Sequence, residues 1–415
     1  METFVLDGGR DAQALQHELE RTDGKMLIVV DEAHKVFSPG AQQSKRTKRL
    51  LELAKQFNEN THVVAMTGTP IRTAASNLYG VAQFVSGSDD ISEQNIYSRE
   101  FLSLYHDAVE NPTAPMKAQH DAALQEHIRP FLVRGDPPPV EARLEQVPQR
   151  YRLSPYQQRA FEQLYREYDA MGADEKKRTA IAMRAYTTIA NAPIEHNPAL
   201  QALHSIVDRH TQNGMNAVTV FCNYISEMNH VIQSFRPGEA IGYHGGLSYN
   251  DRAAVRRAVN ERAILPGVRV RVTLDDGTQA EGVCQAWDGR TGQLVTDDGR
   301  TVAFTADNAP ESMLRALVAT SAGATGLEFK DGSDTVVHYG MPINEAERQQ
   351  RVGRVYRMGQ RSSHVTEYDL RYEIPQSWER LLRHALQRTA MDAIDEPDPA
   401  VVRETLERAR PYIAA

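Results

Sequence analysis

The chain has 415 residues, more than one compact core usually holds, and this length predicts two or three domains. Its apolar content of 41% and charged content of 25% are those of an ordinary globular protein. No apolar run approaches the roughly 20 residues of a membrane span, and no basic, apolar leader opens the sequence, so we expect neither membrane insertion nor a signal peptide. The formal net charge of −8 argues mildly against a protein that coats DNA, yet it allows local phosphate contacts.

Five short apolar runs have the composition of buried parallel strands: MLIVV (26–30), HVVAM (62–66), AVTVF (217–221), ALVAT (316–320) and DTVVHY (334–339). Between them, apolar residues recur at helical spacing and define the buried faces of three predicted helices. These faces consist of Leu50, Leu53, Ala54 and Phe57, then Met228, Val231, Ile232 and Phe235, then Trp378, Leu381, Leu382 and Ala385. Strands that alternate with helices predict α/β layers, in which ligands bind at the carboxyl ends of the strands.

Two stretches interrupt this alternation. The segment RGDPPPVEARLEQVP (134–148) is rich in proline and charge and predicts a linker between lobes. Residues 265–312 contain short alternating strands separated by DDGT, DGRTG and DDGR, which are hairpin-turn signals. They predict a small β-barrel inserted into an α/β domain. Its arginines and Trp287 favour a DNA contact, whereas its turn aspartates favour a passive or protein-contacting role, and both interpretations stay open.

The two cysteines, Cys222 and Cys284, lie in apolar, strand-like segments. Two isolated thiols make neither a zinc site nor a disulfide framework. We expect both to be buried small apolar side chains, and we expect a reducing, cytoplasmic setting.

Polar loops follow the first two predicted strands. The tetrapeptide DEAH (31–34) comes directly after MLIVV, and TGTP (67–70) ends the next run, so both loops are expected at one edge of the sheet. An acidic pair in this place suits metal–nucleotide chemistry, because Asp31 can hold Mg²⁺ while Glu32 orients or deprotonates the attacking water. A polar loop without chemistry is the alternative for these four residues taken alone.

Seven segments of the sequence resemble one protein family, in the order in which that family carries them. MLIVVDEAHKVF and VVAMTGTPIRTAASNLYG resemble motifs II and III of superfamily 2 helicases in their Swi/Snf form, and IRPFLVRGDPPPVEARLEQVPQRYRLSPYQQRAFEQLY resembles the connector between lobes. VTVFCNYISEMNHVI and YHGGLSYNDRAAVRRAV resemble the opening of the second lobe, VATSAGATGLEF resembles motif V, and QQRVGRVYRMGQ resembles motif VI. The resemblance implies RecA-like helicase lobes and hydrolysis of ATP with Mg²⁺, coupled to translocation along double-stranded DNA.

The resemblance also implies roles for individual residues. Arg354 and Arg357 of motif VI would neutralise the charge on a transferred phosphoryl group, and their spacing of three predicts that a helix presents both on one face. Asp31 and Glu32 would complete the catalytic set, with Asp31 holding Mg²⁺ through ATP. ATP binding, and its coupling to movement of the lobes, would involve His34, Gln350, Gly326 and Glu328. Contact with DNA would involve Thr67, Thr69, Thr320, Ser321 and Gly323. A solvated basic helix and a surface histidine are the alternatives for motif VI and for His34.

Motif V departs from the family at two positions. Ser321 stands where Arg is usual and Ala324 where Gly is usual, which predicts an altered fit to DNA.

No phosphate-binding loop of the form GxxxxGK[ST] occurs in the sequence. Such a loop wraps the β- and γ-phosphates with backbone N–H groups and a lysine. Three interpretations stay open. In the first, a second chain supplies the loop and the missing strands. In the second, the chain is an inactive helicase-like module that binds DNA or protein. In the third, it is a truncated fragment of a full-length helicase. Because a first lobe without those strands leaves a sheet edge unpaired, we expect a partner chain or self-association.

The expected architecture is therefore α/β, with RecA-like lobes of which the first is incomplete. The predicted boundaries are a partial first lobe at 1–135, a helical connector at 136–198, a second lobe at 199–264 and 313–372, the inserted β-barrel at 265–312 and a helical tail at 373–415.

Overall fold

The computed structural model describes residues 26–30, 33, 61–66, 139–170, 175–211, 217–320, 328–342 and 345–374. The chain divides into two compact units, one formed by Met1–Asp136 with Thr389–Ala415 and the other by Pro137–Arg388. No helix within the described ranges is long and apolar enough to cross a membrane. The predicted helix faces around Leu50 and Trp378 lie outside those ranges.

The described part of the first unit is a pair of parallel strands, β1 (Met26–Val30) and β2 (Thr61–Ala65). The pairing continues beyond the strands, because Met66 N donates to Val30 O at 2.8 Å and Ala33 N donates to Met66 O at 3.0 Å. Val30 and Ala33 are buried. Both apolar runs are therefore confirmed as parallel strands, the second of them one residue earlier than predicted.

The second unit is built on a six-stranded sheet in which every pairing is parallel. In spatial order its strands are β3 (Arg143–Tyr151), β13 (His364–Tyr372), β12 (Thr335–His338), β4 (Val218–Cys222), β11 (Ala316–Thr320) and β5 (Ala240–Tyr243). The apolar runs predicted β4, β11 and β12, which occupy the middle of the sheet. Their residues are buried on both faces, as expected for central parallel strands.

Six helices of the described residues belong to this unit: α1 (Pro155–Ala170), α2 (Glu175–Ala190), α3 (Pro198–Thr211), α4 (Ile225–Gln233), α5 (Tyr249–Asn260) and α6 (Glu345–Val352). Helices α3 and α4 pack on one face of the sheet, against Val218, Val220 and Cys222 of β4. Helices α5 and α6 pack on the other face, around Phe221. The predicted face of α4 is confirmed, since Met228, Val231 and Phe235 are buried in the first of these cores.

Helices α1 and α2 form a hairpin with a separate core of Phe161, Leu164, Ile181 and Ile189. Gln157, which is fully buried, joins this hairpin to strand β13 of the sheet. Its Nε2 donates to Ile189 O at 2.9 Å and to Tyr372 Oη at 3.0 Å.

Strand β3 corrects the prediction for the preceding region. Residues 134–148 were expected to be a linker, and 136–198 a helical connector, yet Arg143–Tyr151 pairs along its whole length with β13. The strand lies at the edge of the sheet, so only one side of its backbone needs partners. Pro148 is tolerated there for that reason. Proline and charge marked an edge strand rather than a linker.

The predicted insert is a five-stranded antiparallel sheet. Its strands are β6 (Arg269–Thr273), β7 (Gln279–Trp287), β8 (Thr291–Thr296), β9 (Thr301–Thr305) and β10 (Glu311–Ser312), in the order β10-β6-β7-β8-β9. Gly277, Gly289 and Gly299 have φ of +80°, +95° and +83°, as the hairpin turns at DDGT, DGRTG and DDGR require. Within these described residues β9 and β10 are not paired, so the sheet is open rather than a hydrogen-bonded closed barrel.

Cys284 packs inside this insert, with Val270, Val272, Leu294 and Phe304. Trp287 stacks on Phe304, with ring centroids 5.2 Å apart, and so supports the same small core. Cys222 is buried in the second unit's sheet, and both thiols are free, as expected. Burial raises the pKa of each thiol.

Candidate functional site

The structure describes five of the predicted site residues: Thr320, Glu328, Gln350, Arg354 and Arg357. The others lie outside the described residues, and the roles of all the site residues remain predictions. The residues outside the described ranges are Asp31, Glu32, His34, Thr67, Thr69, Ser321, Gly323 and Gly326.

Thr320 is the last residue of β11 and lies opposite Cys222 at the end of β4. It is therefore at the carboxyl end of the sheet, where the α/β pattern predicts ligands. Its side chain is buried, with 4% of the residue exposed. A ligand contact at this position is therefore expected at the backbone rather than at the side chain.

The end of motif V and the arginine segment of motif VI are joined at several points. Phe329 is fully buried, and its N–H donates to Arg354 O at 2.7 Å. Arg357 Nη1 lies 2.9 Å from Glu328 Oε1, in a pair whose two side chains are both about 40% exposed. Exposed pairs of this kind contribute at most about 1 kcal/mol, so the backbone bond and the buried ring fix the junction.

The same junction borders a cleft of ≈ 370 Å³ lined by Arg256, Asn260, Glu261, Glu328, Asp331 and Arg361. Arg361 Nε lies 3.2 Å from Asp331 Oδ1, and Lys330 Nζ donates to Met358 O at 3.3 Å. The cleft is lined by charges of both signs, so its electrostatics alone do not select an anion or a cation.

Arg354 and Arg357 of motif VI are not on a helix. Helix α6 ends at Val352, and the chain then turns, with Gly353 N donating to Gln349 O at 2.8 Å and Tyr356 N to Val352 O at 2.8 Å. The prediction that a helix presents Arg354 and Arg357 on one face is therefore wrong. Val355, fully buried in the sheet's second core, draws the chain inward and ends the helix early.

Two arginines that the sequence reasoning missed hold α6 in place. Arg351, 1% exposed in its side chain, donates through Nη1 to Gly340 O at 2.6 Å and through Nη2 to Asn223 Oδ1 at 2.6 Å. Its Nη2 also reaches Glu347 Oε1 at 3.0 Å.

Arg348 is the second anchor. Its Nη2 donates to Glu367 Oε2 at 2.6 Å, and His338 Nε2 lies 2.9 Å from Glu367 Oε1, inside the sheet. Burial raises the pKa of Glu367, but the hydrogen bonds from His338 and Arg348 outweigh it, so this pKa lies below its usual value. Burial lowers the pKa of His338. This pair explains how a carboxylate is accommodated in the middle of β13.

A third buried polar group lies at the end of β4. Asn223 N donates to Glu227 Oε2 at 2.7 Å, and Asn223 Nδ2 donates to Tyr186 Oη at 2.9 Å. Burial raises the pKa of Glu227, and hydrogen bonds from Asn223, Tyr186 and Tyr224 oppose that rise. Burial, with the neighbouring Glu227 carboxylate, raises the pKa of Tyr186 well above its usual value.

No cluster of three or more histidine, cysteine or acidic residues with metal-binding geometry occurs in the described ranges. The predicted Mg²⁺ ligand, Asp31, lies outside them.

Comparison with known proteins adds family evidence. The model of the helicase conserved C-terminal domain matches residues 296–359, which include β11, β12, α6 and the arginine segment up to Gly359. No curated protein matches the chain.

Similar solved structures include two ATPase domains. The C-terminal part of the Fun30 ATPase domain is 10% identical, with 60% of this chain and 99% of that chain covered and a TM-score of 0.37. The SWI2/SNF2 ATPase core domain of Sulfolobus solfataricus is 15% identical, with 85% of this chain covered and a TM-score of 0.34. This chain covers 62% of the latter's length. Residues 296–359 are therefore similar to the helicase conserved C-terminal domain, in agreement with the motifs V and VI that the sequence places there.

Proposed function

We propose that this chain is a subunit of a DNA-dependent ATPase that couples ATP hydrolysis to movement along duplex DNA. The observation that carries this proposal is the junction of motifs V and VI. There a backbone bond from Phe329 to Arg354 and an ion pair between Glu328 and Arg357 hold two guanidinium groups in one short turn. Guanidinium groups match phosphate oxygens in charge and in hydrogen-bond geometry, so these residues fit a nucleotide-facing role.

ATP with Mg²⁺ would supply the phosphoryl group and most of its charge neutralisation. Arg354 and Arg357 would donate to the oxygens that gain negative charge during transfer, and Asp31 would hold the Mg²⁺ side of the nucleotide. Glu32 would orient the attacking water or take its proton. Gln350, His34, Gly326 and Glu328 would link nucleotide binding to closure of the lobes. Arg357 would leave Glu328 when it turns toward phosphate.

The phosphate-binding loop has to come from outside the printed sequence, and we propose that a second polypeptide carries it. No GK[ST] occurs among the 415 residues, whereas the acidic pair at 31–32 and both arginines are present. An inactive module would have no chemical need for all four groups. The alternatives are that inactive DNA- or protein-binding module, or a truncated fragment of a full-length helicase.

Duplex DNA would contact the carboxyl edges of the sheets, through Thr67, Thr69, Thr320, Ser321 and Gly323. Small residues in motif V allow a phosphate to approach the backbone closely. Burial of the Thr320 side chain favours a backbone contact at that position.

The test is phosphate release by the purified chain, with and without duplex DNA, and with and without a polypeptide that carries the loop. We expect no robust turnover from the chain alone, and DNA-stimulated turnover once the loop is supplied. Arg354→Ala or Arg357→Ala should then reduce kcat by about a thousandfold while DNA affinity is unchanged. Robust turnover by the chain alone, lost in Glu32→Gln, would refute the need for a separate loop. DNA binding without turnover under any condition would favour the inactive module.

A further inference from the structure

Asn223, the residue directly after β4, lies between the helical hairpin and the arginine segment. Its Oδ1 accepts from Arg351 Nη2 at 2.6 Å. Its Nδ2 donates to Tyr186 Oη of α2 at 2.9 Å and to Met341 O at 3.0 Å. A single carboxamide therefore bonds to an element on each side, which needs both a donor and an acceptor on one short side chain.

The arginine side of this contact is fixed. Arg351 is also held by Gly340 O at 2.6 Å, and its guanidinium carbon lies 5.7 Å from the centre of the Phe221 ring. The turn that carries Arg354 starts at this residue, since Arg354 N donates to Arg351 O at 3.2 Å. Displacement of the Arg351 side chain would therefore displace Arg354.

The contact between Asn223 and the helical hairpin is also fixed by several hydrogen bonds. The hydroxyl of Tyr186 is bonded to Asn223 and also to Glu227, whose Oε2 accepts from Asn223 N at 2.7 Å. These three residues form a ring of hydrogen bonds in which Glu227 is fully buried. The Tyr186 ring packs edge-on against Tyr224, with centroids 6.4 Å apart.

The backbone at this point leaves no free space. A Cβ on Gly340 would lie 2.6 Å from Asn223 N, so the chain after β12 presses directly on the chain after β4. Asn223 cannot shift without moving Arg351, Tyr186 or the backbone of Gly340. In a tightly packed interior such a contact transmits displacement instead of absorbing it.

We propose that Asn223 is a positioning residue that ties helix α2 to the arginine segment 351–357. A change in the position of the hairpin is transmitted through Tyr186, Asn223 and Arg351 to Arg354. The structural link stands independently of catalysis, and its effect on turnover rests on the proposed function.

The experiment compares two tyrosine variants that each remove one buried hydroxyl. Tyr186→Phe breaks the link. Tyr372→Phe is the matched control, because its hydroxyl joins the same hairpin to the sheet through Gln157 and Asn197 instead. The readout is the Nε–H resonances of isotope-labelled arginines in the full chain, assigned with Arg351→Lys and Arg354→Lys. We expect Tyr186→Phe to shift the resonances of Arg351 and Arg354, and Tyr372→Phe to leave them in place.

Unchanged resonances in Tyr186→Phe, or equal shifts in both variants, would overturn the proposal. Asn223→Asp tests the link from its centre, since it keeps an acceptor for Arg351 and removes the donor to Tyr186. It should shift Arg354 as Tyr186→Phe does, and an unshifted Arg354 would again contradict the link.

Turnover provides a second readout once the loop is supplied. Tyr186→Phe should lower kcat by about tenfold with little change in KM, because the arginine acts in the transition state, while Tyr372→Phe keeps wild-type kcat. Wild-type kcat in Tyr186→Phe would contradict the transmission to Arg354. If the wild-type complex fails to hydrolyse ATP, the proposed function is refuted, and the arginine resonances still decide whether Asn223 forms the link.

Discussion

The two ends of the insert lie side by side where they join the second lobe, and this junction predicts where a deletion is tolerated. Met313 N donates to Arg269 O at 2.9 Å, so the two ends of the insert lie side by side. Val268 is 1% exposed and packs in the core of the lobe. Arg269 N in turn donates to Gly238 O at 2.9 Å. The lobe therefore includes the chain up to Arg269, and the insert proper is residues 270–311.

Two deletions, each bridged by a short Gly-Ser linker, should differ in stability for this reason. Replacing residues 270–311 keeps the core of the lobe complete, and we expect the lobe to fold. Replacing residues 265–312, the boundaries that the sequence suggested, also removes Val268 and the half-buried Leu265 from that core. The loss of two apolar side chains should lower the free energy of unfolding by a further 2 to 5 kcal/mol, on the order of a large-to-small core substitution.

The assay is urea unfolding of the two deletion variants, followed by far-ultraviolet circular dichroism. Comparison of the two variants with each other avoids the separate unfolding of the insert in the complete chain. Both should show the same dependence on urea, with the longer deletion unfolding at a lower midpoint. Equal midpoints would refute the assignment of Val268 to the core of the lobe.

The shorter deletion also tests whether the insert holds DNA. Residues 270–311 carry eight carboxylates and three arginines, and two of those arginines, Arg271 and Arg300, are within salt-bridge distance of acidic side chains of the insert. We expect duplex affinity at fixed salt to change by less than about tenfold, or 1.4 kcal/mol. A larger loss with a shallower salt dependence would mean that the insert grips the DNA backbone.

Two further predictions concern packing and pH. Gly332→Ala should lower the free energy of unfolding by about 2 to 4 kcal/mol, because the new Cβ would lie 2.0 Å from Val259 O. Gly246→Ala is the control, since its Cβ would meet only the His244 ring, at 3.2 Å. Equal urea midpoints for the two variants would contradict the clash at Gly332. The pKa of His338 lies below its ordinary 6.5 because of burial, so the unfolded chain takes up a proton first and stability falls as pH drops below that value. His338→Gln should flatten this fall in urea midpoints between about pH 7 and pH 5, and an unchanged slope would exclude His338 as its source.

The sequence predicted the centre of the sheet and missed its margins for a physical reason. β4, β11 and β12 are short runs of apolar and β-branched residues, and this is the composition expected of strands that are buried on both faces. β13 reads HVTEYDLRY, with acidic residues at its centre, and only its neighbours explain it: Glu367 is buried against His338 and Arg348. A pattern along one segment does not show partners that come from two other segments.

Strand β5 escaped prediction for another reason. It has four residues, AIGY, and Gly242 within it has low strand propensity. The glycine suits the packing, because a Cβ there would lie 3.1 Å from Ile232 and 3.2 Å from Met228 on α4, and both side chains would have to shift slightly to admit it. The predicted apolar face of α4 was therefore right, but the strand that it covers could not be inferred from composition.

In the candidate site, too, the sequence predicted some features and missed others. The identity of Arg354 and Arg357 came from the motif, whereas their placement in a turn after Val352 depends on Val355, which is buried against the sheet. Asp31, Glu32 and the other motif residues outside the described ranges stay predictions. Arg348, Arg351 and Asn223 were missed, because nothing in the sequence distinguishes a buried arginine from a solvated one.

Buried polar groups rather than apolar contacts orient the arginine segment. Among the side chains of α6 that the structure describes, Val352 is the one buried apolar residue in the sheet's second core, and apolar contacts alone allow a helix to rotate or slide. The guanidinium groups of Arg348 and Arg351 add directional hydrogen bonds to Glu367, Gly340 and Asn223, each 2.6 Å long. Buried ion pairs contribute little net stability but can fix one arrangement among several. In the proposed function this segment places guanidinium groups within hydrogen-bond reach of phosphate, and that role needs a fixed arrangement more than it needs stability.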